Sequence, residues 1–289
     1  MTDPAPLLEV ERRAFHEDVF ERVLRLTDSG IPNNADKGQR ASRTIATKII
    51  ELIGLPPGEG ELPGQTTGNQ FEACCQRFLE RTFGKLAHLR PGKWQIEQIS
   101  KKKKEVVIAN YEQYSHLLLL SELAEQVSLL KSVLGTGYTI APDVVVLRHP
   151  ETDEDINRNI PVVGDDHCRF ASLRERNNPL PIFHASVSCK WTLRSDRSQN
   201  ARSEALTLLR NRKGNTPHIC VVTGEPTPSR LSSIALGTGD LDCVYHFALP
   251  ELVDAVDDYG EDEAISMLNT LVEGKRLRDI SDLPLDLAV

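Results

Sequence analysis

The chain has no apolar run long enough to cross a membrane. Its longest obvious one is Leu117 to Leu120, against the ~18 residues a spanning helix needs, and the opening MTDPAPLLEVERR lacks the basic-then-apolar layout of a secretion signal. A cytoplasmic protein without a membrane partner is expected. Paired cysteine motifs are also missing. Cys74, Cys75, Cys168, Cys189, Cys220 and Cys243 form no CxxC, and four of them sit beside apolar residues in expected core elements, which points to packed, reduced thiols and away from zinc or a disulfide framework. Basic charge is scarce as well. With 34 Lys and Arg against 42 Asp and Glu the net charge is −8, the opposite of what a protein coating nucleic acid through phosphate contacts requires. The deficit is uneven, however. Between Lys190 and Lys213 stand Lys190, Arg194, Arg197, Arg202, Arg210, Arg212 and Lys213 against only Asp196 and Glu204, so an anionic ligand is expected there.

What is present reads as an ordinary globular chain: 289 residues, 39% hydrophobic and 26% charged. Helices are expected over about 7–27, 37–53, 69–87 and 109–133, the third after a Pro- and Gly-rich turn and the fourth after a strand at about 94–99 and the basic turn Lys101 to Lys104. The pattern then changes. Short strands are expected from Asp143, over Ile182 to Trp191, His218 to Thr223 and Cys243 to Phe247, with helices at about 197–210, 249–258 and 261–273. This predicts an α/β fold, a central mixed β-sheet flanked by helices. One domain spanning 1–289 is expected, a helical part (about 1–135) packed on a sheet-containing core (about 136–289). The polar, acidic stretch 149–180 reads as a surface insertion with no assigned chemistry, its Arg174 and Arg176 being available to touch DNA or a partner subunit.

The chemistry concentrates around the strand at 182–191. Alternation puts Phe183, Ala185, Val187 and Cys189 on a core face and Ile182, His184, Ser186, Ser188 and Lys190 on the other. A lysine ending an apolar strand serves either as a snorkelling edge charge or as a site group. Pro142-Asp143 opens another apolar strand, where a carboxylate is either a turn residue or a ligand. In the next helix Glu204 shares a face with Ala201, Ala205, Leu208 and Leu209, and an inward carboxylate needs a cation or metal because desolvation alone costs several kcal/mol. Glu72 borders the Phe71, Cys75, Phe78, Leu79 stripe in the same way. Taken singly, each glutamate fits an arginine pair as well as a metal. Together with Asp143 and Lys190 they suit phosphodiester hydrolysis, in which carboxylates hold Mg²⁺ and lysine orients the attacking water. Directly after the lysine strand comes Arg194-Ser-Asp-Arg197. Asp196 with Gln199 fits a helix capping box, and the Arg-x-Asp-Arg set equally fits readout of C·G pairs, arginine on guanine and carboxylate on cytosine N4.

Pro142-Asp143, Ser188-Cys-Lys190, Arg194-Ser-Asp-Arg197 and Glu204, taken in order, resemble the PD…SxK…RxDR…E series of the CCGG family of type II restriction endonucleases, a branch of the PD-(D/E)xK nucleases. The resemblance runs over nearly the whole chain, through LPGQTTGNQFEA, INRN, NRKG, EPTPSRLSSIALGTG and the tail DISDLPLDLAV. It implies a restriction-endonuclease-like fold and a metal-dependent centre of Asp143, Lys190 and Glu204. Glu72 supports that centre, and Ser188 stands where other branches place an acid. It further implies that Arg194, Asp196 and Arg197 read the inner CCGG, that Gln65 and Arg230 address the outer pair, and that GCCGGC is cut after the first G to leave 5′ overhangs. Members of this kind are tetramers binding two sites, so a homotetramer is favoured over a homodimer by analogy.

Two rival readings use the same residues. A non-catalytic DNA-binding regulator would keep the carboxylates as ion pairs, and a repair or junction-resolving nuclease of the same fold would leave the specificity cluster idle. An acyl-transfer enzyme built on Ser188 and Lys190 lacks a GxSxG elbow or SxxK spacing, and His184 is too far along the strand to serve as its base.

Overall fold

The computed structural model describes residues 4–60, 62–99, 107–127, 142–193, 195–237 and 239–289, without the side chains of 195–198. Its centre is one six-stranded sheet: β1 (Lys93–Gln98), β2 (Val144–His149), β3 (Ile182–Lys190), β4 (His218–Thr223), β5 (Cys243–His246) and β6 (Leu277–Asp279), in that spatial order. The first three strands run antiparallel and the last four, from β3 on, parallel, so the sheet is mixed. β2 and β4 are nearly continuous apolar runs because both of their faces are covered. The same holds for β3. On its expected polar face Ser186 and Ser188 are buried and Ile182, His184 and Lys190 partly so, and the alternation of the sequence does not divide core from solvent there.

Helices Leu7–Arg22, Arg40–Ile53 and Gly64–Arg81 precede the sheet, and Ser195–Asn211, Pro228–Ala235, Leu249–Tyr259 and Asp262–Glu273 lie between its later strands. One apolar cluster joins Phe15, Val19 and Phe20 of the first helix to Val144 and Val146 of β2 and to Leu252 and Leu271 near the C-terminus. Arg12 ties the two chain ends together, donating to Glu251 at 2.6 and 2.9 Å and to Asp279 at 2.9 and 3.0 Å. Among the described residues no helix is long and apolar enough to cross a membrane, and all six cysteines are free, five of them buried.

Several expected elements shift. The third helix starts at Gly64, so Gln65 lies in its first turn and not in a preceding loop. In place of a helix from 109 there are two short 3-10 turns, Val107–Asn110 and Glu112–Tyr114, before the helix His116–Gln126. The Gln113 side chain is the reason: its amide donates to Phe183 O and accepts from Phe183 N, both at 2.8 Å, extending the hydrogen bonding of β3 at the expense of a regular helix. The Lys101 to Lys104 turn and residues 128–141 lie outside the described residues. Helix Pro228–Ala235 and strand β6 have no counterpart in the sequence expectation.

The 149–180 stretch also requires a correction. Arg174 is only 2% exposed. Its guanidinium grips Asp153, at 2.7 Å through Nη2, and donates to the carbonyls of Gly164 and His167 at 2.8 and 3.1 Å. Arg176 pairs with Asp165 at 2.8 Å. Arg174 is therefore the internal organiser of the insertion, and a buried guanidinium with every direction committed is not placed to touch DNA or a partner.

Candidate active site

The antiparallel register sets Val144 opposite Val187, which brings the residue before β2, Asp143, to the end of β3. There the Asp143 carboxylate, 1% exposed, accepts at Oδ2 the Cys189 amide at 2.9 Å and the Lys190 ammonium at 2.7 Å, with Ser188 Oγ at 3.4 Å. Burying a carboxylate is costly unless charge-assisted hydrogen bonds replace its water, and Lys190 and the Cys189 amide do so. The lysine is thus no snorkelling edge charge, since its ammonium turns inward onto Asp143 and the side chain is 13% exposed.

Lys190 opens into a cavity of about 650 Å³ whose wall also carries Glu72 and Gln65 from helix Gly64–Arg81, Glu204 from helix Ser195–Asn211, and Arg230 from helix Pro228–Ala235. Each glutamate reaches it for a local reason. Ala201, Ala205 and Leu208 bury the stripe of their helix, and Glu204, half-buried on the same side, is left facing the opening. Glu72 is 4% exposed and accepts from Gln98 Nε2 at 3.0 Å.

Asp143, Glu72 and Glu204 do not form a cluster of three ready ligands among the described residues. Magnesium does not demand one. It commonly takes one or two carboxylates and completes its shell with waters and substrate phosphate, and an all-oxygen donor set beside a lysine suits such a hard ion. The residues present therefore fit a magnesium site.

The residues expected to read bases are only partly described. Arg194 lies outside the described residues, as do the side chains of Asp196 and Arg197. The backbone is informative even so. Helix Ser195–Asn211 opens five residues after the end of β3, with Asp196 at its N-terminal end. Gln65 is exposed on the cavity wall. Arg230 is engaged within the protein, hydrogen-bonded through Nη2 to Asp36 and with Nη1 3.7 Å from Glu225 Oε2.

Sequence reasoning missed Asp36 and Glu225. Asp36 shares its segment with Asn33, which accepts from Trp191 Nε1 at 3.0 Å, and with Asn34, which donates to Gly224 O at 2.8 Å. Glu225, 0% exposed, accepts the Leu193 amide at 2.9 Å. Burial pushes its carboxyl up from the ordinary glutamate value, while the Leu193 amide, Thr227 and Arg230 pull the other way. No local signal marks these residues, because the contacts that bring them to the site join Glu225 to Leu193, 32 positions away, and Asp36 to Arg230, 194 positions away.

The family model described as NgoMIV restriction enzyme matches residues 15–289. The type II restriction enzyme NgoMIV of Neisseria gonorrhoeae is 50% identical over 285 residues, covering 98% of this chain and 99% of that protein. Among solved structures, the Bse634I restriction endonuclease is 13% identical with a TM-score of 0.38, covering 79% of this chain and 81% of its own. The PspGI restriction endonuclease in complex with substrate DNA is 13% identical with a TM-score of 0.25, covering 98% and 92%.

Proposed function

The chain belongs to the NgoMIV restriction enzyme family, and from that premise we propose that it hydrolyses double-stranded DNA at GCCGGC, cutting after the first G to leave 5′ overhangs, with Mg²⁺ as its metal. The observation that carries this reading is the Lys190 ammonium on Asp143 beside a cavity that also bears Glu72 and Glu204.

In this reading Asp143 and Glu204 hold the ion, Glu72 supports it, and Ser188 supplies no acid. When bound, Mg²⁺ offsets the charge that accumulates on the phosphorus centre and lowers the pKa of the attacking water. Lys190 orients that water through its N–H bonds, with Asp143 fixing the direction of the ammonium. Arg194, Asp196 and Arg197 read the inner CCGG, and Gln65 and Arg230 address the outer pair. The charge pattern supports such a ligand: the run from Lys190 to Lys213 is basic in a protein that is acidic overall. A palindrome presents the same half-site twice, so two copies related by a two-fold axis are required, and two such pairs make the tetramer favoured here. The working compartment is the cytoplasm, where its free thiols stay reduced.

Digestion of a plasmid of known sequence with Mg²⁺, followed by mapping of the ends, tests this directly. Discrete fragments with ends at GCCGGC, abolished by EDTA, are expected. Cutting at unrelated sequences, or specific binding without cutting, overturns it.

A further inference from the structure

Glu225 joins two parts of the site that the sequence keeps apart. It follows β4 by two residues and is followed by helix Pro228–Ala235, which bears Arg230. Its Oε2 accepts the amide of Leu193, the residue before Arg194, at 2.9 Å and faces Arg230 Nη1 at 3.7 Å. Its Oε1 accepts the Thr227 amide at 3.3 Å, and its own amide donates to Thr223 Oγ1 at 3.2 Å.

We propose that Glu225 is a positioning residue for base recognition, its one buried carboxylate fixing both the backbone that leads into Arg194 and one edge of the Arg230 guanidinium. The inference rests on the reading that Arg194 and Arg230 contact bases. A neutral acceptor would satisfy the Leu193 amide, and at 0% exposure it would do so at lower desolvation cost. What the carboxylate adds is charge, and Arg230 is the cation facing it. Asp36 holds the same guanidinium from the other side but is 34% exposed, open to replacement by an incoming guanine edge. Glu225 is sealed and stays. Arg230 thus keeps one anchored edge whether or not DNA is bound. Because Leu193 hangs on the same oxygen, the Leu193 backbone and the Arg230 guanidinium are held from a single point.

The test compares kcat/KM on three synthetic duplexes, GCCGGC, one with an altered outer pair and one with an altered inner pair, for the wild type, Glu225→Gln, Arg230→Lys and the double variant, all with Mg²⁺. Glu225→Gln keeps an acceptor for Leu193 and loses the charge. Its outer-pair discrimination is expected to fall about tenfold, the worth of part of a bidentate contact, with inner-pair discrimination nearly unchanged. In the Arg230→Lys background Glu225→Gln is expected to change discrimination no further, because both act through one guanidinium. Equal loss on all three duplexes, unchanged ratios, or full additivity with Arg230→Lys overturns the proposal. If Glu225→Gln does not fold, Glu225→Asp replaces it: drawn back from both Leu193 and Arg230, it is expected to lower inner-pair and outer-pair discrimination together, and unchanged ratios on the three duplexes overturn the proposal. A wild type that cuts the three duplexes equally instead refutes the recognition reading itself, and the role of Glu225 falls with it.

Discussion

The Lys190 ammonium rests 2.7 Å from Asp143 Oδ2, on a carboxylate that the Cys189 amide also reaches at 2.9 Å. Asp143→Ala and Lys190→Ala are therefore expected to lose cleavage of GCCGGC duplexes by roughly a thousandfold or more, as expected when several kcal/mol of transition-state stabilisation are removed. Specific binding, followed by gel shift without Mg²⁺, should persist, since neither residue reads a base. Removing either partner strands the other charge, so Asp143→Asn is included as the variant that keeps the shape. Cutting above a few per cent of the wild-type rate in either alanine variant sinks this assignment.

Ser188 and Glu204 separate two ways of supplying the second acid. Ser188 Oγ is 3.4 Å from Asp143 Oδ2, a long contact, whereas Glu204 faces the cavity. Ser188→Ala should keep its rate within about tenfold, the loss of one weak hydrogen bond, and Glu204→Ala should fall by about a hundredfold or more. Single-turnover cleavage ranks them, and the reverse order would mean that the centre is wired differently.

Arg194→Ala and Asp196→Ala are expected to lose discrimination at inner C·G pairs, about 1–3 kcal/mol for each bidentate contact, measured as the ratio of kcat/KM on CCGG and single-base variants. An arginine serving only the backbone would weaken every duplex alike and flatten the salt dependence. The readout reading expects Asp196→Asn to lose selectivity while melting close to wild type. A lower melting temperature with full selectivity would return Asp196 to a structural role.

Two histidines set an acid limit on stability. Burial pushes His184 and His246 down from 6.5 to about 4. The His184 ring lies among Phe83, Trp94 and His218, and His246 accepts the Ala248 amide at 3.1 Å through Nδ1. Between pH 6.5 and about 4 the unfolded chain binds these protons and the folded chain does not. The stability contributed is therefore complete above that window and lost as the pH falls through it, at up to about 1.4 kcal/mol per histidine per pH unit. Denaturant titrations at pH 7.5 and pH 5 (about these values) on wild type and His246→Asn, which keeps an acceptor for Ala248, measure the slope. An identical slope in both proteins refutes the contribution of His246.

Much of this arrangement is legible in the sequence, because apolar runs such as Val144 to Leu147 and Ile219 to Val222 state a buried strand by themselves. Asp143, Lys190 and Glu204 were legible as charges set against apolar surroundings. Periodicity carries no information about what covers the second face of a strand, so Ser186 and Ser188 read as an open side and are in fact buried. β6, three residues long, is too short to show a period, and its burial comes from pairing with β5. Arg174 reads as surface because its neighbours are polar, and only the closing of the insertion around Asp153 makes it internal. The contacts that tie Asp36 to Arg230 and Glu225 to Leu193 join residues that no local window contains.

The insertion at 149–180 gains a different meaning from the direction of β2 and β3. Asp143 and Lys190 meet at one end of this antiparallel pair, and the covalent link between the strands leaves from the other, at His149 and Ile182, about 20 Å away for six residues of strand. Changes in the length of that link act on the reacting groups only through loop-closure entropy, which grows by about 0.6 kcal/mol for each doubling of length. The sheet thus sets its chemistry at the end remote from this long connection. The spacing of the two residues at the opposite end is set by the backbone pairing of β2 with β3 rather than by the length of that segment.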